Sequence, residues 1–389
     1  MIAILDTGDP TRVSGGQSAF IRNILPSLDH DVALVGATPA TRFLGGWRHV
    51  TVGGRPYPFL SIAHLSPPGV RPLLPLRSRC CAGVFAHYHQ IDGLADLVYV
   101  HSTEMALPFA VFKSGKPLVL HLHGAGHPLE HSRYDWAQRQ WFMGPYSRLM
   151  RTVFTAAKAV ISVDIQGLAL SESLGGPREC VRIPSCYDNK VFLPGDKAAA
   201  RNRLGLPEDA LVVAFVARLE KGKGTPLLVP LLKALRERGR DCRLLVAGDG
   251  SQRSVIEHEA LGAGFSDMVA CLGWLDERRL AEILRASDVF LLPSSQEGIS
   301  IAALEAMGSG VPAVVSRVGG LAEVVKDGAN GFLVDGHDVA ALVGPIERMA
   351  DDPIPPSKIV ESVRDYAGEA VARRISSLLD EVMLSSRGR

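Results

Sequence analysis

The chain has 389 residues, 47% of them hydrophobic and 21% charged, with a formal net charge of +1. That length suits two globular domains of about 150–200 residues each, and the near-neutral balance excludes a polycation built for nucleic acid. The charge is uneven, with 18 Lys and Arg against 13 Asp and Glu over residues 1–190 and 24 against 28 beyond, so the first half suits an anionic acceptor or membrane face, or simply a solvated surface.

IAIL (2–5) reads as a first strand. It meets Asp6 too soon, and lacks the basic flank, for a signal peptide. A loop with Gly15-Gly16 leads into SAFIRNILPSL (18–28), which has helical apolar spacing. The runs 31–37, 49–53, 96–102, 118–124, 159–164 and 181–184 are short and almost wholly apolar. Such runs suit parallel strands covered on both faces. SCYDNKVFLPGDK (185–197) reads as a linker. The pattern then restarts, with strands at 211–218, 242–250, 269–274, 289–294 and 312–317 and helices at 225–238, 251–263, 276–287, 298–309 and 320–326. The tail, 358–385, has helical periodicity. This alternation predicts an α/β protein of two open, doubly wound sheets, with domains at 1–184 and 198–369.

No run of 18 apolar residues occurs, so no membrane span is expected. Six cysteines without C-x-x-C or Cys/His metal spacing predict free thiols in a reducing, cytoplasmic setting and no zinc site.

Open parallel sheets take ligands at the carboxyl ends of their strands. In ARLEKGKG, Arg218 ends a strand and Lys223 follows between Gly222 and Gly224. A fork and a point charge at one strand end suit a diphosphate; the alternative is a basic surface loop. In PSSQEGISIAALEAMGSGVP, Glu297 and Glu305 are spaced E-x7-E. Gly298 is expected to open a helix whose first amides, from Ile299, Ser300 and Ile301, form an anion site. Glu297 at that mouth would hold sugar hydroxyls. Glu305, inside the apolar run IAALEAM, is a carboxylate that is costly to bury unless a ligand such as a ribose binds it.

At these residues the chain resembles the family-4 glycosyltransferases, of GT-B fold. The resemblance is carried by Arg218 with Lys223-Gly224, LVAGDG (245–250) and EGISIAALEAMGSGVPAVVSRVGGLAEVVKDGANGFLV (297–334). The first half matches more loosely, through the Gly-Gly loop, Asp96 to His101 and LVLHLHG. VRIPSCYDNKVFLP resembles the inter-domain segment, with Ser185 and Cys186 in place of the usual Asn and Gly. The end, 370–389, resembles the helix that returns to the first domain.

The resemblance implies two Rossmann-like domains facing a central cleft, and transfer with retention from a nucleotide-diphosphate sugar without a metal. Arg218 and Lys223 would bind the donor diphosphate. Glu305 would hold the ribose, and Glu297 with the amides after Gly298 the donor sugar. Gly16 would offer its amide to the distal phosphate or acceptor, and His123 would touch the transferred sugar. His121 lies on the same strand face as His123 and is expected to be packed; His101 would stand behind them. The expected donor is a UDP- or GDP-sugar, and the expected acceptor a saccharide or lipid-linked saccharide in cell-surface or exopolysaccharide assembly. The basic, aromatic stretch 133–158 is expected either to touch the inner face of the cytoplasmic membrane or to pack on the sheet with a solvated basic face. Two other classes share the architecture: a nucleotide-sugar 2-epimerase and a binding protein without activity.

Overall fold

In the computed structural model the chain divides into two compact units, residues 1–185 with 368–389, and residues 186–367. Every residue is described except 13–14, 40–43, 67–69, 71, 125–138 and 388–389.

The first unit opens with β1 (Ile2–Leu5), α1 (Gly16–Ile24), β2 (Val32–Thr38), β3 (Trp47–Val52) and β4 (Arg55–His64). It continues through α2 (Leu76–Ala86), α3 (Tyr88–Leu94), β5 (Leu97–Val100), α4 (Leu107–Val111) and β6 (Leu118–Leu122). It closes with α5 (Gln140–Ala156), β7 (Ala159–Ser162), α6 (Ile165–Ser173) and β8 (Cys180–Arg182). The sheet order is β3-β4-β2-β1-β5-β6-β7-β8, parallel except for the edge pair β3–β4. β1, β5 and β7 are buried at every position, so their sequences carry no alternation.

β4 is a strand that the sequence reading omits. Its Pro56 and Pro58 argue against a central strand. Both lie before Phe59, where pairing with β2 begins, so no ladder bond to β2 is lost.

The second unit holds α7 (Lys197–Leu204), β9 (Leu211–Val216), α8 (Leu228–Glu237), β10 (Cys242–Ala247), α9 (Arg253–Gly262) and β11 (Val269–Gly273). It continues with α10 (Glu277–Ala286), β12 (Val289–Leu292), α11 (Ile301–Gly308), β13 (Ala313–Ser316), α12 (Leu321–Val324), β14 (Gly331–Val334), α13 (Val339–Asp351) and α14 (Pro356–Ser362). Its parallel order is β11-β10-β9-β12-β13-β14. Numbered within the unit, that is 3-2-1-4-5-6, the dinucleotide-fold order whose switch point lies between its first and fourth strands.

The segment 185–197, expected as an open linker, mostly packs into the second unit. Cys186 and Phe192 are buried, the Tyr187 amide donates to Tyr366 O at 3.1 Å, and Arg285 donates to the carbonyls of Val191 and Leu193. The units therefore meet in sequence at 185/186 and 367/368, not at 184, 198 and 369. The predicted tail helix is also two helices: α14 ends at Ser362, and α15 (Gly368–Arg387) belongs to the first unit. There α15 packs beside α1, with Ser376 Oγ accepting from the Asp29 amide at 3.3 Å and His30 meeting Asp380 at 2.9 Å.

All six cysteines are free thiols. Among the described residues, no helix is long and apolar enough to cross a membrane.

Candidate active site

In the second unit, the loops after β9 and β12 meet because those strands are neighbours at the switch point. Lys223 follows β9, Glu297 follows β12, and Lys223 Nζ lies 2.5 Å from Glu297 Oε1. Ser294 Oγ donates to the same oxygen at 3.0 Å. The two loops are also stitched by backbone: Gly222 O accepts from the Ser295 amide at 2.9 Å and from Ser295 Oγ at 3.1 Å. Two glycines allow close backbone approach here, Gly224 between these two loops and Gly319 from the loop after β13. Gly224, at φ +81°, would place a Cβ 2.3 Å from Pro293 O; Gly319, at φ +50°, would place one 1.8 Å from Glu297 O. Arg218 is exposed and has no side-chain partner among the described residues. Its segment is held by the Leu219 amide donating to Asp249 O and by Leu219 O accepting from the Gln252 amide, each at 2.9 Å.

The helix after β12 starts later than the sequence reading places it. α11 begins at Ile301 with Ser300 as its cap, whose Oγ accepts from the Ala303 amide. Gly298 and Ile299 are thus loop, because the Ser300 cap sets the first turn. The amides of Ile299, Ser300 and Ile301 form no hydrogen bond with the described residues. They remain a set of free donors beside Glu297.

Glu305 lies one turn into α11 and is 9% exposed. Its carboxyl has no partner among the described residues. Burial, with the charges of Glu277 and Asp188 nearby, pushes its pKa up to about 8. The structure therefore joins Lys223 to Glu297 directly, while Glu305 makes no hydrogen bond or ion pair with either and is a buried acid with open hydrogen-bonding capacity.

The first unit has its own switch point between β1 and β5. Gly16 begins α1 and is exposed; no side chain caps that helix end. Gln17, next to it, donates from Nε2 to Asp6 Oδ1 and to His101 O, the latter at 3.1 Å, which ties the ends of β1 and β5. Burial raises the Asp6 pKa, against lowering hydrogen bonds from Gly8, Gln17 and Thr7. β5 and β6 pair in parallel, Tyr99 with Val119, so Tyr99, His101, His121 and His123 share one side. His121 is packed at 1% exposure, its Nδ1 2.5 Å from the Tyr99 hydroxyl. His123, just past β6, is half-buried and its Nε2 lies 2.7 Å from His101 Nδ1.

The three imidazoles each put a nitrogen within 4.8 Å of the others. Sequence spacing did not predict this group, because its third member comes from the neighbouring strand. The planes of His121 and His123 are 4° apart at a 4.3 Å centroid separation, so their in-plane lone pairs run side by side rather than converging. Tetrahedral sites need convergence.

Asp6, Gln17, Ser294 and Gly319 were not singled out from sequence. Strand alternation puts Tyr99 with His101 on one face of β5 and His121 with His123 on one face of β6, and the register between the strands joins the two pairs.

Residues 196–366 match the family profile described as "Glycosyl transferases group 1". The D-inositol 3-phosphate glycosyltransferase of Acidothermus cellulolyticus is 35% identical over 229 residues, which is 56% of this chain and 50% of that protein. Its counterpart in Saccharomonospora viridis is 33% identical over 253 residues, 61% of this chain and 58% of that one. The chain spans about half the length of the curated relatives it matches. Sucrose-phosphate synthase from Thermosynechococcus elongatus superposes with a TM-score of 0.78 at 23% identity over 99% of both chains. The catalytic domain of starch synthase IV from Arabidopsis thaliana, solved with ADP and acarbose, gives 0.72 at 17% over 100% of this chain and 99% of that one. At these identities the likeness speaks for the fold, which is GT-B: two Rossmann-like units in one chain.

Proposed function

We propose, from the membership of residues 196–366 in the glycosyl transferases group 1, that the chain is a retaining, metal-independent hexosyltransferase. Its donor is a UDP- or GDP-sugar, and its acceptor a saccharide or lipid-linked saccharide in cell-surface polysaccharide assembly at the cytoplasmic side. The observation that carries this reading is the Lys223–Glu297 pair spanning the switch point beside the free amides of Ile299, Ser300 and Ile301.

Lys223, Arg218 and those amides meet the charge that grows on the diphosphate as the anomeric C–O bond breaks, and fixed groups aimed at growing charge are commonly the largest catalytic term. Glu297 holds sugar hydroxyls, and Glu305 the ribose. Gly16 serves the distal phosphate or acceptor, and His123 touches the transferred sugar. The departing phosphate oxygen takes the acceptor's proton. That assignment gives front-face displacement and needs no carboxylate nucleophile.

A thermal-shift screen of nucleotide sugars tests the donor, since a ligand of the native state raises Tm by mass action. One UDP- or GDP-sugar is expected to stabilise the wild type and not Glu305→Ala. No stabilisation by any nucleotide sugar would refute the reading. Release of nucleoside diphosphate only when acceptor is added separates transfer from epimerisation.

Peripheral membrane contact is assigned to the outer face of α5. Tyr146, Met150, Val153 and Phe154 are buried against the first unit, while Trp141, Arg148, Leu149 and Arg151 are exposed. Residues 133–138 of the stretch lie outside the described residues. The exposed set joins an aromatic anchor to cations, as interfacial helices do. Sedimentation with anionic vesicles is expected for the wild type and lost in Arg148→Glu/Arg151→Glu. Equal sedimentation of both proteins would remove the membrane assignment.

A further inference from the structure

His101 and His123 are joined in a way that substrate contact alone does not require. Their ring centroids are 5.0 Å apart and their planes 20° apart, while His101 Nδ1 and His123 Nε2 are 2.7 Å apart. A 5.0 Å separation is what an end-to-end, in-plane N–H···N bond leaves once the two ring radii are added. The contact is therefore a straight hydrogen bond, not a stack. His121 lies over the pair, 4.3 Å from His123 and 5.1 Å from His101. Phe20 of α1 presses edge-on against His121 and His123, at 4.7 and 5.0 Å.

One proton serves this bond, so one ring donates and the other accepts. Burial holds both rings neutral, with the pKa of each below its ordinary value. Were His123 Nε2 the donor, His101 would carry its own proton on Nε2. That atom is buried and has no partner among the described residues. A buried N–H without an acceptor is rarer and costlier than a bare lone pair. His101 therefore donates from Nδ1 and leaves Nε2 bare. His123 accepts at Nε2 and keeps its single proton on Nδ1.

We propose that His101 is a positioning residue that locks His123 in the Nδ1–H form, so that His123 meets a substrate oxygen as a hydrogen-bond donor and never as a proton acceptor. The substrate contact rests on the transferase reading; the tautomer does not. In transfer, the new bond forms between the acceptor oxygen and the anomeric carbon, and the bond to the diphosphate oxygen breaks. The acceptor's proton then goes to that departing oxygen, because the only free nitrogen of His123 already carries one.

The test uses the full chain with 15N-labelled histidine and long-range 1H–15N correlation at pH 7.5. His123 is assigned by the signals lost in His123→Gln. The expected wild-type spectrum shows His123 Nε2 unprotonated and Nδ1 protonated, reverting to protonated Nε2 in His101→Leu. A protonated Nε2 in the wild type overturns the proposal. In turnover, His101→Leu is expected to lower kcat about tenfold, the scale of one hydrogen bond, with donor KM little changed. His101→Asn, whose amide N–H sits where Nδ1 does, is expected to recover most of that loss. Equal losses in Leu and Asn overturn the positioning role. If no donor is turned over even by the wild type, the transferase reading fails while the spectrum still decides the tautomer. If His101→Leu does not fold, the wild-type spectrum and His101→Asn suffice.

Discussion

Lys223→Ala is expected to lower kcat/KM for the donor by about 10²–10³-fold, the scale seen when one preorganised group is removed from a developing charge. Two effects add. The cation that faces the diphosphate is gone, and Glu297, whose side chain is 11% exposed, loses the partner 2.5 Å away. An unmasked carboxylate at the donor site then repels the diphosphate. Relief of that repulsion is a separate, measurable quantity. Glu297→Gln alone should weaken transfer by removing a sugar contact, yet placed on the Lys223→Ala background it should restore part of the nucleotide affinity. A double-mutant cycle on nucleoside diphosphate binding reads this as coupling between neighbours. The fold should survive, because Lys223 sits in the short turn after β9 and fills no position of the hydrophobic core. Wild-type turnover by Lys223→Ala would remove Lys223 from the site.

The members of this pair were legible in the sequence as individuals but not as partners. Lys223 and Glu297 are 74 positions apart. What brings them together is that β9 and β12 are adjacent. Local pattern shows that each run is a strand and leaves their order in the sheet open. Fold knowledge closes that gap, since the 3-2-1-4-5-6 order always sets the first and fourth strands side by side. The helix start shows the opposite failure. Ser300 is a good N-cap residue and Gly298 is not the strongest one, so reading the caps would have begun α11 at Ile301. Glu305 stood out because a carboxylate interrupts an apolar run, and it is indeed buried. Its neighbours Asp188 and Glu277 come from segments with no sequence link to α11. In the first unit, His123 was singled out by the resemblance, which matches it to the histidine that follows a strand. The hydrogen bond from His101 needed the β5–β6 register, which no single strand contains.

Acid is expected to weaken the first unit while leaving α11 of the second intact. Burial, with the charge of Arg77, holds the His123 pKa down to about 3, against an ordinary 6.5. Burial and the other imidazoles hold His101 and His121 well below that value too. These rings stay neutral in the native state while the unfolded chain protonates them. Their stability contribution is present above pH 6.5 and is lost as pH falls below it, for His123 down to about 3. For His123 the loss is about 2 kcal/mol at pH 5. Asp6, whose pKa burial raises, opposes this with one group against three. Glu305 has the reverse sign. Its native pKa of about 8 stands above an ordinary 4.5, so its contribution is present below 4.5 and is lost as pH rises through 8. Native-state hydrogen exchange, corrected for intrinsic rates, reads the two regions separately. Between pH 7.5 and 5.5, opening free energies at Val98–Val100 and Val119–Leu122 should fall, while those at Ala303–Met307 should hold or rise. Glu305→Gln, neutral at every pH, should flatten the α11 response and leave β5 and β6 unchanged. Protection that falls in step at both places would mean that the imidazoles are not the groups that acid attacks.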